Sequence, residues 1–153
     1  MPSHYQPASV VAHADGAAAQ AHAERIAAFF REVLATGDLA RASAYLSPNF
    51  RDHDPASSGE DGPDSVIAKL RELWDGFPDG RFGLQEVVAA GDRVAARSLF
   101  RGTQTGTFGS LAPTGRRVEV SFMDFYRMSG GLISAHWHTF DRYHLLQQLG
   151  ALP

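Results

Sequence analysis

The spacing of hydrophobic positions changes once along the chain, near residue 80, and that change divides it into a helical part and a strand part. Between Ala19 and Thr36, Ile26, Phe29, Phe30, Val33 and Leu34 recur at steps of three and four, which predicts an amphipathic helix. Gly37 supplies the left-handed residue at which helices often stop. Asp38 then caps a short helix carrying Leu39 and Leu46, which ends before Pro48. The segment NFRDHDP is polar and rich in turn formers, and reads as a loop. Pro63 and Asp64 open a third helix, with Val66, Leu70, Leu73 and Trp74 on its buried side and FPDG closing it.

Beyond residue 80 the period becomes two. RFGLQEVVAAG, DRVAARSLFRGTQ, GRRVEVSFMDFYRM and GLISAHWHTFD read as four strands. Loops at Gly91–Asp92, at residues 109–115 and at residues 129–131 join them. RYHLLQQLG is a closing helix that Asp141 can cap. Helices followed by a run of antiparallel strands give an α+β fold, with three N-terminal helices packed on one side of a sheet. Strong twist would wrap that sheet around the helices and leave a conical pocket. Residues 1–17 show no period and are expected to be a flexible extension. Residues 18–153 form one domain, with no internal repeat.

Composition narrows the functions available. The 153 residues are 44% hydrophobic, enough for a substantial core. The net charge of -3 provides no basic surplus for nucleic acid. The absence of cysteine excludes disulfides, thiolate metal sites and a cysteine nucleophile. The first residues lack the basic region of a signal peptide, and no apolar run approaches the ~18 residues of a membrane span. The chain is therefore expected to be soluble and cytoplasmic.

The chemistry concentrates in the last two strands. A three-residue loop SGG pairs Met128 with Leu132. In that register Asp124 faces His136, Phe122 faces His138, and Asp124 and His138 are diagonal neighbours. These four share a face with Val120, Tyr126, Ser134 and Phe140, because side chains alternate. A two-residue loop would shift the register by one and put Asp124 and His138 on opposite faces. A carboxylate beside an imidazole among apolar groups is either an acid/base pair, with the carboxylate fixing the tautomer, or a hydrogen-bonded buried pair without chemistry. H-x-H on a strand also suits zinc or iron, with His53 and Asp124 as further ligands, but no short motif supports it and no metal is assigned. His53, in RDHDP, becomes a substrate contact if its loop covers the pocket mouth. Trp74 reads as core or pocket wall. His144 is expected to be exposed.

Taken together, NFRDHDP, RGTQTGTFGSLAPTGRRVEV, DFYRMSGGLISAHWH and LLQQLG resemble the SnoaL-like polyketide cyclases, or ester cyclases, collinearly over about residues 20–150. The resemblance implies a cone-shaped, NTF2-like α+β barrel and catalysis without cofactor or metal. Founding members of the family close a ring by intramolecular aldol condensation, using an aspartate on the final strand and a histidine on the strand before it. Here the two residue types are exchanged: His138 stands at the aspartate's place and Asp124 at the histidine's. The implied roles are His138 as proton carrier and Asp124 as its orienter. His53, His136 and Tyr126 offer hydrogen bonds, and Trp74, Phe122 and Phe140 shape the walls around a small hydrophobic polyketide-like substrate. Other readings are a hydroxylase-like tailoring protein and a non-catalytic binding protein on the same fold. The open sheet face is expected to pair in a homodimer or higher homo-oligomer.

Overall fold

The computed structural model describes residues 10–53 and 62–152. The predicted helical stripe is helix α1 (Ala17–Phe29), which buries Ala19, Ala23, Ile26 and Phe29. Its last turn widens over Phe30–Leu34, where the amide of Ala35 reaches back to Phe30. Gly37, at φ +77°, ends it. A single 3₁₀ stretch follows over Leu39–Ala44. Helix α2 (Pro63–Gly76) starts on the predicted proline, and α3 (Arg142–Gln148) closes the chain. Asp141 caps α3 by accepting a bond from the His144 amide.

The four predicted strands are present as β3 (Arg81–Ala90), β4 (Arg93–Thr103), β5 (Arg117–Ser129) and β6 (Leu132–Phe140), each antiparallel to the next in the series. Two further strands correct the sequence reading. Residues 11–15, placed in the flexible extension, form β1 (Val11–Asp15), which pairs parallel to β3. Of NFRDHDP, expected as a loop, residues 49–52 belong to β2 (Leu46–Asp52), which pairs parallel to β6, and residues 54–55 lie outside the described residues. Leu46 starts that strand instead of ending a helix. The sheet order is β1-β3-β4-β5-β6-β2, so the sheet is mixed at its edges and does not close into a barrel. Its inner face, exemplified by Val94, Ala96 and Phe100 of β4, packs with α1 into one core.

The β5–β6 register also differs from the expectation. Gly130 and Gly131 both have positive φ and form a two-residue turn with Ser129 opposite Leu132. Alone, that turn would have separated Asp124 and His138. A bulge at Ser134 restores the face: Met128 pairs with Ile133 but Arg127 with Ala135, and the Ser134 hydroxyl bonds the Arg127 carbonyl at 3.1 Å. Asp124 therefore lies directly opposite His138, and Tyr126 opposite His136.

The loop between β4 and β5 is locked against α2. Gln104 is fully buried and bonds Leu111, Ala112 and Thr114 across the loop. The Gly106 amide donates to the Gly76 carbonyl at 3.1 Å. A Cβ at Gly106 would sit 1.9 Å from the Asp75 carbonyl oxygen, a clash with backbone that no rotamer relieves. Gly106→Ala is expected to lower unfolding free energy by about 3 kcal/mol. Urea denaturation checks this against Ser110→Ala, an exposed change in the same loop that should be near neutral.

Candidate active site

The inner side of the sheet, α1, α2, α3 and the β4–β5 loop line an open-mouthed chamber of about 330 Å³. Its walls are mostly apolar, including Leu70 and Leu73 of α2, Phe108 of the loop, and Phe82 and Phe100 of the sheet. Of the residues singled out in the sequence, His138, Asp124, His136, Phe122, Tyr126 and Phe140 all line it. Alternation on β5 and β6 brings them together. Rings stack along this wall, Tyr126 on His136 at 4.9 Å, His136 on His138 at 5.3 Å and His138 on Phe140 at 6.0 Å between centroids.

Two of the expected contacts lie elsewhere. His53 is exposed and stacks on Trp137 at 4.4 Å, on the outer side of the sheet. It is the residue after β2, and the alternation that turns Phe50 and Asp52 inward turns His53 outward. Trp74 does not line the chamber; its indole donates to the Gly80 carbonyl at 2.7 Å and ties α2 to the start of β3.

Asp124 makes its polar contact with His136. The His136 Nε2 lies 2.8 Å from Asp124 Oδ1. Diagonal placement across β5 and β6 allows this bond, whereas the sequence register had made His138 the diagonal partner. A residue missed in the sequence completes the cluster. Asp52, with its side chain 1% exposed, sits beside His136 on the neighbouring strand, Oδ1 at 3.6 Å from His136 Nδ1. Its other oxygen is 2.8 Å from the Lys69 ammonium on α2. Period-two spacing from Phe50 was the signal for Asp52.

A family profile for SnoaL-like polyketide cyclases matches residues 24–149. The chain belongs to the SnoaL-like polyketide cyclase family. Among solved structures, TsrD from Streptomyces laurentii is 32% identical, covers 90% of this chain and 98% of its own, and has a TM-score of 0.74. IdmH from Streptomyces antibioticus, described as a proposed polyketide cyclase, is 28% identical over 84% of this chain and 98% of its own, with a TM-score of 0.74. AclR from Streptomyces galilaeus, described as a proposed hydroxylase, is 26% identical over 90% of this chain and 89% of its own, with a TM-score of 0.72. No curated protein matches.

In this SnoaL-like chamber the electrostatics centre on His136. Burial opposes its charged form, yet the bond to Asp124 and the adjacent Asp52 carboxylate outweigh burial and lift its pKa to about 9. At neutral pH it is an imidazolium between two carboxylates. Tyr126 is pushed well above the usual phenol range, first by burial and then by Asp124 and Asp52. It therefore presents a neutral hydroxyl. Asp52, His136 and His138 bring potential ligand atoms within 4.8 Å of one another. A divalent cation there would meet the Lys69 ammonium on Asp52 and a protonated His136, and both positive charges oppose it. No described helix is long and apolar enough to cross a membrane.

Proposed function

We propose that the protein is a cofactor-independent cyclase that closes a ring in a small, largely apolar polyketide-like substrate by intramolecular aldol-type chemistry in the cytoplasm. The observation that carries this reading is a buried imidazole–carboxylate contact of 2.8 Å set in an apolar chamber wall beside a second imidazole. His138 takes the proton α to one carbonyl. The electron pair left on that carbon forms the new bond to a second carbonyl carbon, whose π pair moves to its oxygen. His138 then returns the proton to that oxygen, so no proton is gained or lost overall. Asp124, opposite His138, offsets the charge the ring carries between the two transfers. The apolar walls fold the substrate so that its two ends meet, which supplies much of the rate. His136 holds Asp124 in place.

The test is ring closure of a tethered aryl ketone–β-keto ester, followed by absorbance with and without protein. Acceleration without oxygen uptake supports the reading. The likeness to AclR favours one alternative, an oxygen-inserting role, which the same assay would reveal as oxygen consumption tied to turnover. Saturable binding with no turnover of any such substrate would leave a binding protein.

The outer face of the sheet supports a homodimer. Val88, Phe125 and Trp137 lie in one row across β3, β5 and β6, with Met123 beside them, and are 45%, 42%, 37% and 55% exposed. Glu86 and Arg97, paired at 3.3 Å, border the patch with both signs of charge. Such a surface is complementary to a second copy of itself. Phe125→Glu is expected to convert the dimer to monomer in light scattering while leaving the circular dichroism spectrum unchanged.

A further inference from the structure

Four charged groups alternate in sign across the chamber, from helix α2 to strand β5. Lys69 on α2 contacts Asp52 on β2, Asp52 flanks His136 on β6, and His136 bonds Asp124 on β5. The far end of this row stands opposite His138. We propose that Asp52, anchored by Lys69, is a positioning residue that holds the His136 ring so that it presents Asp124 to His138 and the substrate. This deepens, and rests on, the acid/base reading of the same wall.

The geometry sets Asp52 apart from an ordinary ion pair. A buried Asp–Lys contact gains little stability over a well-packed apolar pair, because both charges lose their water. Here the carboxylate has a second use. Its Oδ2 faces Lys69 at 2.8 Å while Oδ1 points at the edge of His136 that Asp124 does not use. The imidazole is thus hydrogen-bonded at one edge by Asp124, faced at the other by the Asp52 carboxylate at 3.6 Å, and packed on its faces by Tyr126 and His138. β2 fixes the placement, since the His53 amide bonds the His136 carbonyl at 2.8 Å and keeps Asp52 level with that ring. An aspartate on the parallel edge strand therefore steers a carboxylate two strands away. Asp52 does not itself exchange a proton with substrate.

The groups facing His136 are Asp124 and Tyr126 from β5, Asp52 from β2 and His138 from β6, with Lys69 from α2 acting through Asp52. The test follows the His136 ring by NMR in protein labelled at histidine, alongside ring-closure kinetics. In Asp52→Asn the His136 titration midpoint should fall by about one pH unit or more, because one of its two carboxylates is gone. In Lys69→Met the midpoint should rise, because Asp52 no longer shares its charge with an ammonium. Both shifts report the electrostatic contact, and the split between kcat and KM separates positioning from a merely structural role. In Asp52→Asn kcat should fall by up to about 10²-fold with KM little changed, and Asp52→Glu should recover part of it. An unchanged His136 midpoint in Asp52→Asn overturns the proposal, and so does a fall in KM-dependent binding with kcat intact. Should Asp52→Asn fail to fold, an unchanged midpoint in Lys69→Met overturns it equally. Absence of ring closure in the wild type would refute the cyclase reading alone, since the titrations report on His136 without turnover.

Discussion

His138→Gln is expected to slow ring closure by about 10²–10⁴-fold at neutral pH. Glutamine keeps much of the volume and a hydrogen-bonding end, so the chamber should retain its shape and KM should stay within a few-fold of the wild type. What it loses is a site that can take a proton from carbon and return it to oxygen. Because the loss falls on the chemical step, it should appear in kcat. Asp124→Asn should give a loss of similar order for a different reason. It removes the charge opposite the protonated ring and leaves the buried His136 imidazolium short of one partner. The two changes act on one unit, so the double variant should be little worse than either alone. His53→Gln is the control. His53 stacks on Trp137 outside the sheet, and its loss should leave turnover unchanged. If His138→Gln retains wild-type kcat, proton transfer runs through another group and the assignment of roles fails.

The long elements were legible because each buries one clean face. The stripe from Ile26 to Leu34 and the alternation in β3 to β6 need no distant partner to be recognised. β2 escaped because its inward positions are Phe50 and Asp52, and a carboxylate at a core position looks like a loop residue. What makes Asp52 tolerable inside is Lys69, seventeen residues further along and on a helix, information that no local pattern carries. β1 is a short edge strand whose pairing comes wholly from β3. The chamber-facing side of β5 and β6 was legible from parity alone. The partner within it was not, because register depends on a bulge at Ser134 that nothing in SAHWHTFD announces. Two departures from the expected hairpin, a shorter turn and a bulge, cancel in parity and leave a net shift that exchanges direct for diagonal neighbours. That is why six of the eight nominated residues share the chamber while the hydrogen bond formed by Asp124 goes to His136.

Stability is expected to fall by about 3 kcal/mol as pH rises from about 6 to about 10, and His136 is the cause. In the folded chain its pKa stands at about 9, and in the unfolded chain it returns to the model-peptide value of 6.5. Below the lower value both states carry the proton and the two carboxylates stabilise the folded state in full. Between the two values only the folded state still holds the proton, so each rise in pH favours unfolding. Above the upper value the imidazole is neutral in both states and the contribution is gone. Urea denaturation at a series of pH values would read this as a falling midpoint with a constant slope against denaturant. His136→Gln should flatten the curve across this window, since glutamine carries no proton to lose. Tyr126 does not interfere, because burial and the two carboxylates move its ionisation above this range. The sign decides between two descriptions of the chamber. A neutral, buried His136 would make the protein more stable as pH rises through 6.5, whereas an imidazolium clamped by Asp52 and Asp124 makes it less stable. A rising curve would remove the fixed positive charge on which the placement of Asp124 depends.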